Sequence, residues 1–522
     1  MIFFIPILII LAGVAILLHR RYLAQREQEG PRVVVKGHTY SEVVESKPVC
    51  VAESNNRVGD VNRCCIIGAG RVGAMTGIVL ASNNPQVQFS IVDTNERLIA
   101  AWKSDRPPIT DPGLENILFD DECLAIEGID NDTTTTTALA SKNEEVMRRR
   151  KIQNLSFSSD VHATVASAQI VFLCVEMDEL DTSFAHLDPT LQTIATASSG
   201  PKVIVQRATS PYKTVWHIKE HLESLTPNIH HTILTNPLPS FPPPSCSTSS
   251  PLSETRVIIG HIYSPSSRPE DIDALKKLYT PFVPAERIVT MDAYSAELGR
   301  MGQTAVLAQQ MGSLASLSVL SGACEASTGA VGWMVGSDTA GCSVSGSGGM
   351  VLGAEFREVT SELQCLVHMA KESGMEEVAE YWGSLLKVQE FLVRRAVRRL
   401  IKEMGTDEEG KKGSVAVVGF GEQRGVGSIA TKELRSAGLE IKVAGDQILQ
   451  KPLEVELGEG IDVVGCVEQA CSGCSGVVFL GSTRVQPESL QDIARCMKER
   501  RVLSLRSGLD GVKMKQLGFE VL

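Results

Sequence analysis

Hydrophobic and polar positions divide this chain into three kinds of pattern. From Arg63 to about residue 260, short apolar runs alternate with helix-like stretches, which predicts parallel strands joined by crossover helices. From Ser295 to about Ala326, Leu, Val and Met recur at three- and four-residue steps, predicting one long helix. A glycine- and serine-rich hinge, Gly329 to Gly353, leads into a second helical stretch from about Glu355 to Met404. A charged break at Gly405–Gly413 (GTDEEGKKG) precedes a return of short apolar strands: Val415–Val418, Ile441–Val443, Val477–Leu480 and Val502–Leu505. Strand-rich, helical, strand-rich is the layout of two α/β domains joined by a helical connector. Two polar interruptions read as exposed loops: Asp130 to Gln153, with Thr133–Thr137 and basic Arg148–Lys151, and the proline-rich Pro237 to Pro251.

The first segment fits none of these patterns. Ile2 to Leu18 (IFFIPILIILAGVAILL) is an unbroken run of uncharged, almost wholly apolar residues. At 1.5 Å per residue it reaches about 25 Å, the short end of what spans a bilayer and close to the thinner ER membrane. A cleaved signal peptide carries a positive region before its apolar core and small residues after it. Here no Lys or Arg precedes the core, and His19, Arg20, Arg21, Tyr22 and Arg26 follow it. The expectation is an uncleaved anchor over residues 1–22, in preference to a signal peptide or a buried helix. The positive flank keeps the following chain cytosolic. Residues 23–62 then read as a linker.

Composition narrows the function classes. The chain has 522 residues, 43% apolar and 21% charged, which is ordinary for a folded multidomain protein. Fifty Lys and Arg against 62 Asp and Glu give a net charge of −12, so the basic footprint of a nucleic-acid binder is absent. Thirteen cysteines in so long a chain form no closely spaced disulfide framework.

The strongest chemical signal is CCIIGAGRVG, Cys64 to Gly73. An apolar strand, Cys64–Ile67, runs into Gly68-x-Gly70-x-x-Gly73 and a helical stretch from Val72 to Ala81. A second strand, VQFSIVD, then ends in Asp93. The first glycine permits the tight turn, the second lets backbone approach a pyrophosphate, and the third lets helix pack on strand. The helix N-terminus supplies donors to the phosphates, and the acidic residue accepts from the adenosine ribose. Gly68, Gly70, Arg71, Val72, Gly73 and Asp93 are therefore the candidate cofactor-binding residues. Asp93, where an NADP site would place a basic group, favours NAD.

The neighbouring blocks resemble the UDP-glucose 6-dehydrogenase family, a branch of the UDP-glucose/GDP-mannose dehydrogenases. GAGRVG…VDTNERLIAAW…PPITDPGL is similar to that family's GAGYVG…VDVNxxRIxxWN…PIYEPGL. The similarity continues through VFLCV (Val171–Val175), VIVQRATSP (Val203–Pro211), LTNPLP (Leu234–Pro239) and RVIIG (Arg256–Gly260). It extends through SAELGRMGQTAVLAQQ, EEVAEYW (Glu376–Trp382), VAVVGFG (Val415–Gly421) and QACSGCSGVVF (Gln469–Phe479). The resemblance implies an α/β fold of two Rossmann-like doubly wound domains joined by a long-helix connector, here with the N-terminal transmembrane helix added. It implies an NAD-binding domain over 63–290, a helical dimerisation domain over 291–404, and a UDP-sugar-binding domain over 413–522. The expected ligands are NAD and a UDP-sugar, with assembly as a homodimer or higher oligomer.

The resemblance also implies a reaction, the oxidation of a sugar C6 alcohol to a carboxylate in two hydride transfers. The family uses a cysteine nucleophile in a GGSCFxKD loop, a water-positioning Thr, a Glu in NPEF, and a Lys and Asn on the long helix. Residue by residue, little of that set is kept. Thr209 matches the threonine, but Leu238 stands at the glutamate, Arg300 at the lysine and Thr304 at the asparagine. Gly346–Gly349 continues into Met350 and Val351 where Ser-Cys is expected, and the closest cysteine, Cys342, lies on the wrong side. Glu362 is the candidate for the loop's acidic residue. EMDE (Glu176–Glu179) replaces the family's NTPT, and GFGEQRGVGS (Gly419–Ser428) replaces a segment with a phosphate-facing Lys. Thr209, Arg300 and Glu362 are thus the candidate catalytic residues of an incomplete set. A thioester route needs the nucleophile and activated water, whereas a single alcohol–aldehyde step does not need the cysteine. Two readings follow: impaired or two-electron chemistry, or an inactive membrane-anchored subunit that regulates or scaffolds a UDP-sugar dehydrogenase or a glycosyltransferase. The expected location is the ER membrane with the body facing the cytosol.

Other constellations have plainer readings. Cys471-x-x-Cys474 lacks a second pair or a histidine to complete a zinc site and reads as helix-end packing. Cys64 and Cys65 read as inert strand residues, and His230-His231 as an exposed pair. Asn131-Asp-Thr and Asn154-Leu-Ser are glycosylation triplets that matter only if the body is lumenal.

Overall fold

The structure is a computed structural model. It describes residues 61–104, 107–108, 112–119, 152–175, 184–208, 211–238, 256–262, 268–336, 356–404, 413–420, 424–444, 461–480, 487–505 and 511–522. Among these, no helix is long and apolar enough to cross a membrane. Ile2–Leu18, on which the anchor expectation rests, lies outside the described residues, as does most of each polar loop.

The first part runs β1 (Arg63–Ile67), α1 (Arg71–Asn83), β2 (Gln88–Val92), α2 (Glu96–Lys103), α3 (Pro112–Leu118), β3 (Leu155–Ser158), α4 (Val161–Ser167) and β4 (Ile170–Leu173). It continues with α5 (Asp188–Ala197), β5 (Val203–Gln206), α6 (Thr214–Leu225), β6 (Thr232–Thr235), β7 (Val257–His261), α7 (Pro269–Tyr279) and β8 (Ile288–Asp292). The eight strands form one sheet in the order β3-β2-β1-β4-β5-β6-β7-β8. All neighbours are parallel except β6 and β7. Strand β1 explains its own composition. Cys64 and Ile66 enter the core on one face, Cys65 and Ile67 the core on the other, so none of these four positions can be polar, and only Arg63 at the start is exposed. The order reverses between β2 and β4 around β1, which opens a crevice at the carboxyl ends of these strands.

Helix α8 (Ala293–Ala323) begins where Asp292 accepts the Ser295 N–H at 2.8 Å and ends close to the expected boundary. One expectation fails after it, and a second gains detail. The glycine-rich hinge contains a helix, α9 (Thr328–Gly336), whose Val331 and Val335 share a small cleft with Leu314 and Leu317 of α8. Apolar contact with the longer helix outweighs glycine's weak propensity there. The second helical stretch is two helices, α10 (Phe356–Glu372) and α11 (Glu376–Met404). Between them Gly374 adopts φ +69, its N–H donates to Lys371 O, and the Met375 N–H donates to Ala370 O. That pair of bonds closes a helix through a left-handed residue, a conformation glycine takes without a Cβ clash.

The last part comprises β9 (Ser414–Val418), α12 (Arg424–Ser436), β10 (Glu440–Ala444), β11 (Ile461–Val464), α13 (Val467–Cys471), β12 (Gly476–Phe479), α14 (Pro487–Cys496), β13 (Arg501–Ser504), α15 (Gly511–Gln516) and β14 (Glu520–Val521). Its parallel sheet is ordered β11-β10-β9-β12-β13-β14. The two strands the pattern missed, β11 and β14, are the two edges, short and only partly buried. Val393, Val397 and Leu400 of α11 pack into this domain's core beside Val415 and Val417, which makes α11 the connector.

Candidate functional site

The crevice at β1 is built by steric necessity. Gly68 has φ +106, and a Cβ there would lie 2.5 Å from the Cys174 carbonyl oxygen. A Cβ on Gly73 would lie 1.8 Å from the Gly68 carbonyl oxygen. Gly70 caps α1 without a side chain, and no acidic residue occupies that helix's first turn, so its free N–H groups face a potential anion. Trp102 holds the turn from behind: its Nε1–H donates to Ala69 O at 2.8 Å while its ring stacks on Phe157. Asp93 Oδ2 accepts the Ala69 N–H at 2.9 Å, and Oδ1 accepts the Asn95 N–H at 2.9 Å. Each oxygen keeps lone-pair capacity for a ribose hydroxyl. Arg71 is exposed at the first position of α1, and half-buried Val72 packs on the core. Gly68, Gly70, Asp93, Val175 and Thr193 are among the residues lining a cavity of ≈ 400 Å³, a size in the range of cofactor clefts. All six sequence-identified cofactor residues therefore gather at one turn, and the residues present fit a dinucleotide.

The catalytic candidates fare differently. Thr209 lies outside the described residues, as do Glu176–Glu179, Cys342 and Gly346–Val351. Arg300 and Glu362 are brought together. Arg300 Nη1 lies 2.6 Å from Glu362 Oε1, and the same nitrogen donates to Thr304 Oγ1 at 2.7 Å. The three residues are buried between α8 and α10. Glu362 belongs to the body of α10 and not to the loop before it. A cation held this way is neutralised by its own carboxylate. Leu238, at the glutamate's place, packs against the core of the first sheet and can neither accept nor deliver a proton.

Sequence reasoning missed two further polar anchors. Buried Glu297 of α8 accepts the Lys213 N–H at 2.8 Å and the Val215 N–H at 3.1 Å, stapling the start of α6 to the long helix. It holds Lys213 at φ 68, a left-handed conformation uncommon outside glycine. Burial pushes the Glu297 carboxyl up to about 7, even though the two backbone donors oppose the shift. Buried Arg207 donates from Nε to Thr76 Oγ1 at 3.1 Å and from Nη1 to Asn236 O at 2.9 Å. Tyr279 also donates to Asn236 Oδ1, so the cluster ties α1 and α7 to the ends of β5 and β6. No local pattern marks the contacts of either group, because each acts across a long sequence separation.

The plainer readings can be placed as well. Cys64 and Cys65 are buried, and burial raises both thiols, Cys65 to about 12. Cys474 Sγ donates to Ala470 O at the end of α13, and among the described residues the Cys471/Cys474 pair joins no metal-type cluster. His230 is exposed. His231 is half-buried, so the pair is not uniformly exposed as expected; its Nδ1 accepts the Lys202 N–H at 3.2 Å.

A glycine turn built for a dinucleotide, a switch point beside it, a long helix and a second parallel sheet define a dinucleotide-binding α/β architecture of two Rossmann-like sheets. The NAD-binding domain profile of the UDP-glucose/GDP-mannose dehydrogenase family matches residues 62–141 and 122–283. UDP-glucose 6-dehydrogenase 2 of Oryza sativa subsp. japonica is 30% identical over 404 residues, 74% of each chain. UDP-glucose 6-dehydrogenase 1 of the same plant is 30% identical over 383 residues, 70% of each chain. Among solved structures, a UDP-glucose dehydrogenase from the hyperthermophilic archaeon Pyrobaculum islandicum aligns over 88% of this chain and 99% of its own, with TM-score 0.58 and 14% identity, a likeness of fold. The chain belongs to the UDP-glucose/GDP-mannose dehydrogenase family, and its cofactor is NAD.

Proposed function

We propose that this protein is a membrane-anchored relative of the UDP-glucose 6-dehydrogenases that has lost the four-electron oxidation and performs at most a two-electron exchange on a UDP-sugar. The observation that carries this reading is the buried Arg300–Glu362 pair. Where the family's pattern has a lysine, Arg300 is a planar cation fixed by a carboxylate and by Thr304. When bound, NAD is the hydride acceptor. A two-electron step then needs only loss of a hydride from C6 and release of the hydroxyl proton to water, giving an aldehyde. Continuing to the carboxylate requires a covalent thioester and an activated water, and Leu238 supplies neither. Exposed Leu298, Val306, Leu320 and Phe391 on α8 and α11 support pairing of chains through the helical region. The apolar segment Ile2–Leu18 and its following basic flank support anchoring in the ER membrane with the body cytosolic.

The experiment is NADH formation from UDP-glucose and NAD by the full-length protein in detergent, with NAD binding measured in parallel. One NADH per sugar supports the two-electron reading. Two NADH would overturn it. No NADH with NAD binding intact favours the second reading, a regulatory or scaffolding subunit, which Leu238 and the neutralised Arg300 also favour. Gly73→Ala is the control, expected to weaken NAD binding at least tenfold because its Cβ collides with Gly68.

A further inference from the structure

Helices α5 and α6 place a set of ligating side chains that the dehydrogenase chemistry does not use. His217 and His221 are one turn apart on α6, and positions i and i+4 share a helix face. Asp188, the first residue of α5, faces them. Its Oδ1 lies 3.0 Å from His217 Nε2 and 3.8 Å from His221 Nδ1, and one ligand atom of each residue lies within 4.8 Å of the other two. An Asp–His hydrogen bond accounts for the first imidazole alone. The second, at 3.8 Å, is too far to hydrogen-bond, and its ring lies 5.6 Å from that of His217. Phe184 stacks on the His217 ring at 4.5 Å and fixes its plane. The nearest cation on the helix, Lys219, is drawn aside to Glu223 and the Trp216 ring.

We propose that Asp188, His217 and His221 bind a divalent transition-metal ion of the zinc class. Two imidazole nitrogens and one carboxylate oxygen are the donor set such ions take, with water completing the tetrahedron. Bonds of 2.0–2.2 Å put tetrahedral ligand atoms about 3.3–3.6 Å apart, so side-chain shifts of roughly 1 Å convert the observed cluster into a site. Pro189, Thr190 and Thr193 of α5 line the NAD cavity. A metal bridging α5 to α6 therefore clamps one wall of that cavity, and the site serves to order the cofactor pocket without touching the reacting atoms.

The test uses the full-length protein, stripped with chelator and titrated with zinc chloride while bound metal and thermal midpoint are followed. Cobalt(II) serves as a spectroscopic probe of tetrahedral coordination. One ion per chain, a raised midpoint and at least tenfold weaker binding in His221→Gln are expected. His221 is the decisive variant because its imidazole makes no hydrogen bond to Asp188, and an unchanged thermal midpoint of its metal-free form is the control for folding. Asp188→Asn should weaken binding similarly, and His230→Gln should not change it. Absence of stoichiometric binding at 100-fold excess of micromolar zinc overturns the proposal. Unchanged affinity in the His217→Gln/His221→Gln double variant does so too, and places the ion elsewhere on the chain.

Discussion

Buried Glu297 and half-buried His231 are two residues whose protonation pulls stability in opposite directions. The Glu297 carboxyl is raised from 4.5 to about 7, so its contribution is fully present below pH 4.5 and lost as pH rises through 7. The His231 imidazole is lowered from 6.5 to about 4 by burial, with Lys202 and His230 adding to the effect. Its contribution is present above pH 6.5 and lost as pH falls through 4. Each is worth on the order of 3 kcal/mol, and the two slopes cancel between pH 4.5 and 6.5. Glu297→Gln should therefore expose a stability that climbs from pH 4 to 6.5, and His231→Gln one that declines from pH 4.5 to 7. Urea midpoints across this range read both, and parallel profiles for wild type and variants would refute the assignment. Neither residue was identifiable beforehand as a titrating group. Glu297 stands in a recognisable helix motif, but its partners are backbone donors at Lys213 and Val215. Asp93 was legible because its partners lie within one βαβ unit and the spacing itself encodes the contact.

Between elements, the Arg300–Glu362 pair joins α8 to α10 and is the main polar link in a seam otherwise lined by Met301, Ala305, Ala308, Val359 and Leu363. Removing one partner strands a buried charge, so Arg300→Met or Glu362→Gln should each cost about 3–5 kcal/mol. The double variant Arg300→Met/Glu362→Leu should recover most of that loss, since a packed apolar pair replaces a buried ionic one at little cost. A double-mutant cycle of denaturant midpoints measures the coupling, and strictly additive losses would show that the pair is not an interacting unit. Helix and strand existence were readable from periodicity, but the interruptions were not. The break at Gly374 depends on one left-handed residue inside a continuous helical pattern. Helix α9 forms in a glycine-rich stretch because α8 offers it an apolar face. The edge strands β11 and β14 carry no buried run, because a strand exposed on one side needs none.

For the whole molecule, the balanced average of 43% apolar residues conceals the concentration of seventeen of them or their uncharged neighbours at Ile2–Leu18. The proposed anchor there predicts that the full-length chain stays in the membrane pellet after an alkaline carbonate wash, and that a chain beginning at Gly30 is released. Orientation can be argued from the fold of the body. Asn154, the acceptor position of one glycosylation triplet, is buried, and its Nδ2 contacts the carbonyl oxygens of Ala81, Asn84 and Val87 at 2.7–3.0 Å. A glycan added there during translocation would remove those bonds and force the β2–β3 region apart, so this fold requires an unmodified Asn154. A cytosolic body meets that requirement without further provision, in agreement with Arg20, Arg21 and Arg26 on the retained side. In sealed microsomes, added protease should then degrade the body while endoglycosidase leaves the chain's mobility unchanged. A protected body with an endoglycosidase-sensitive shift that disappears in Asn131→Gln would place it in the lumen and reverse the orientation.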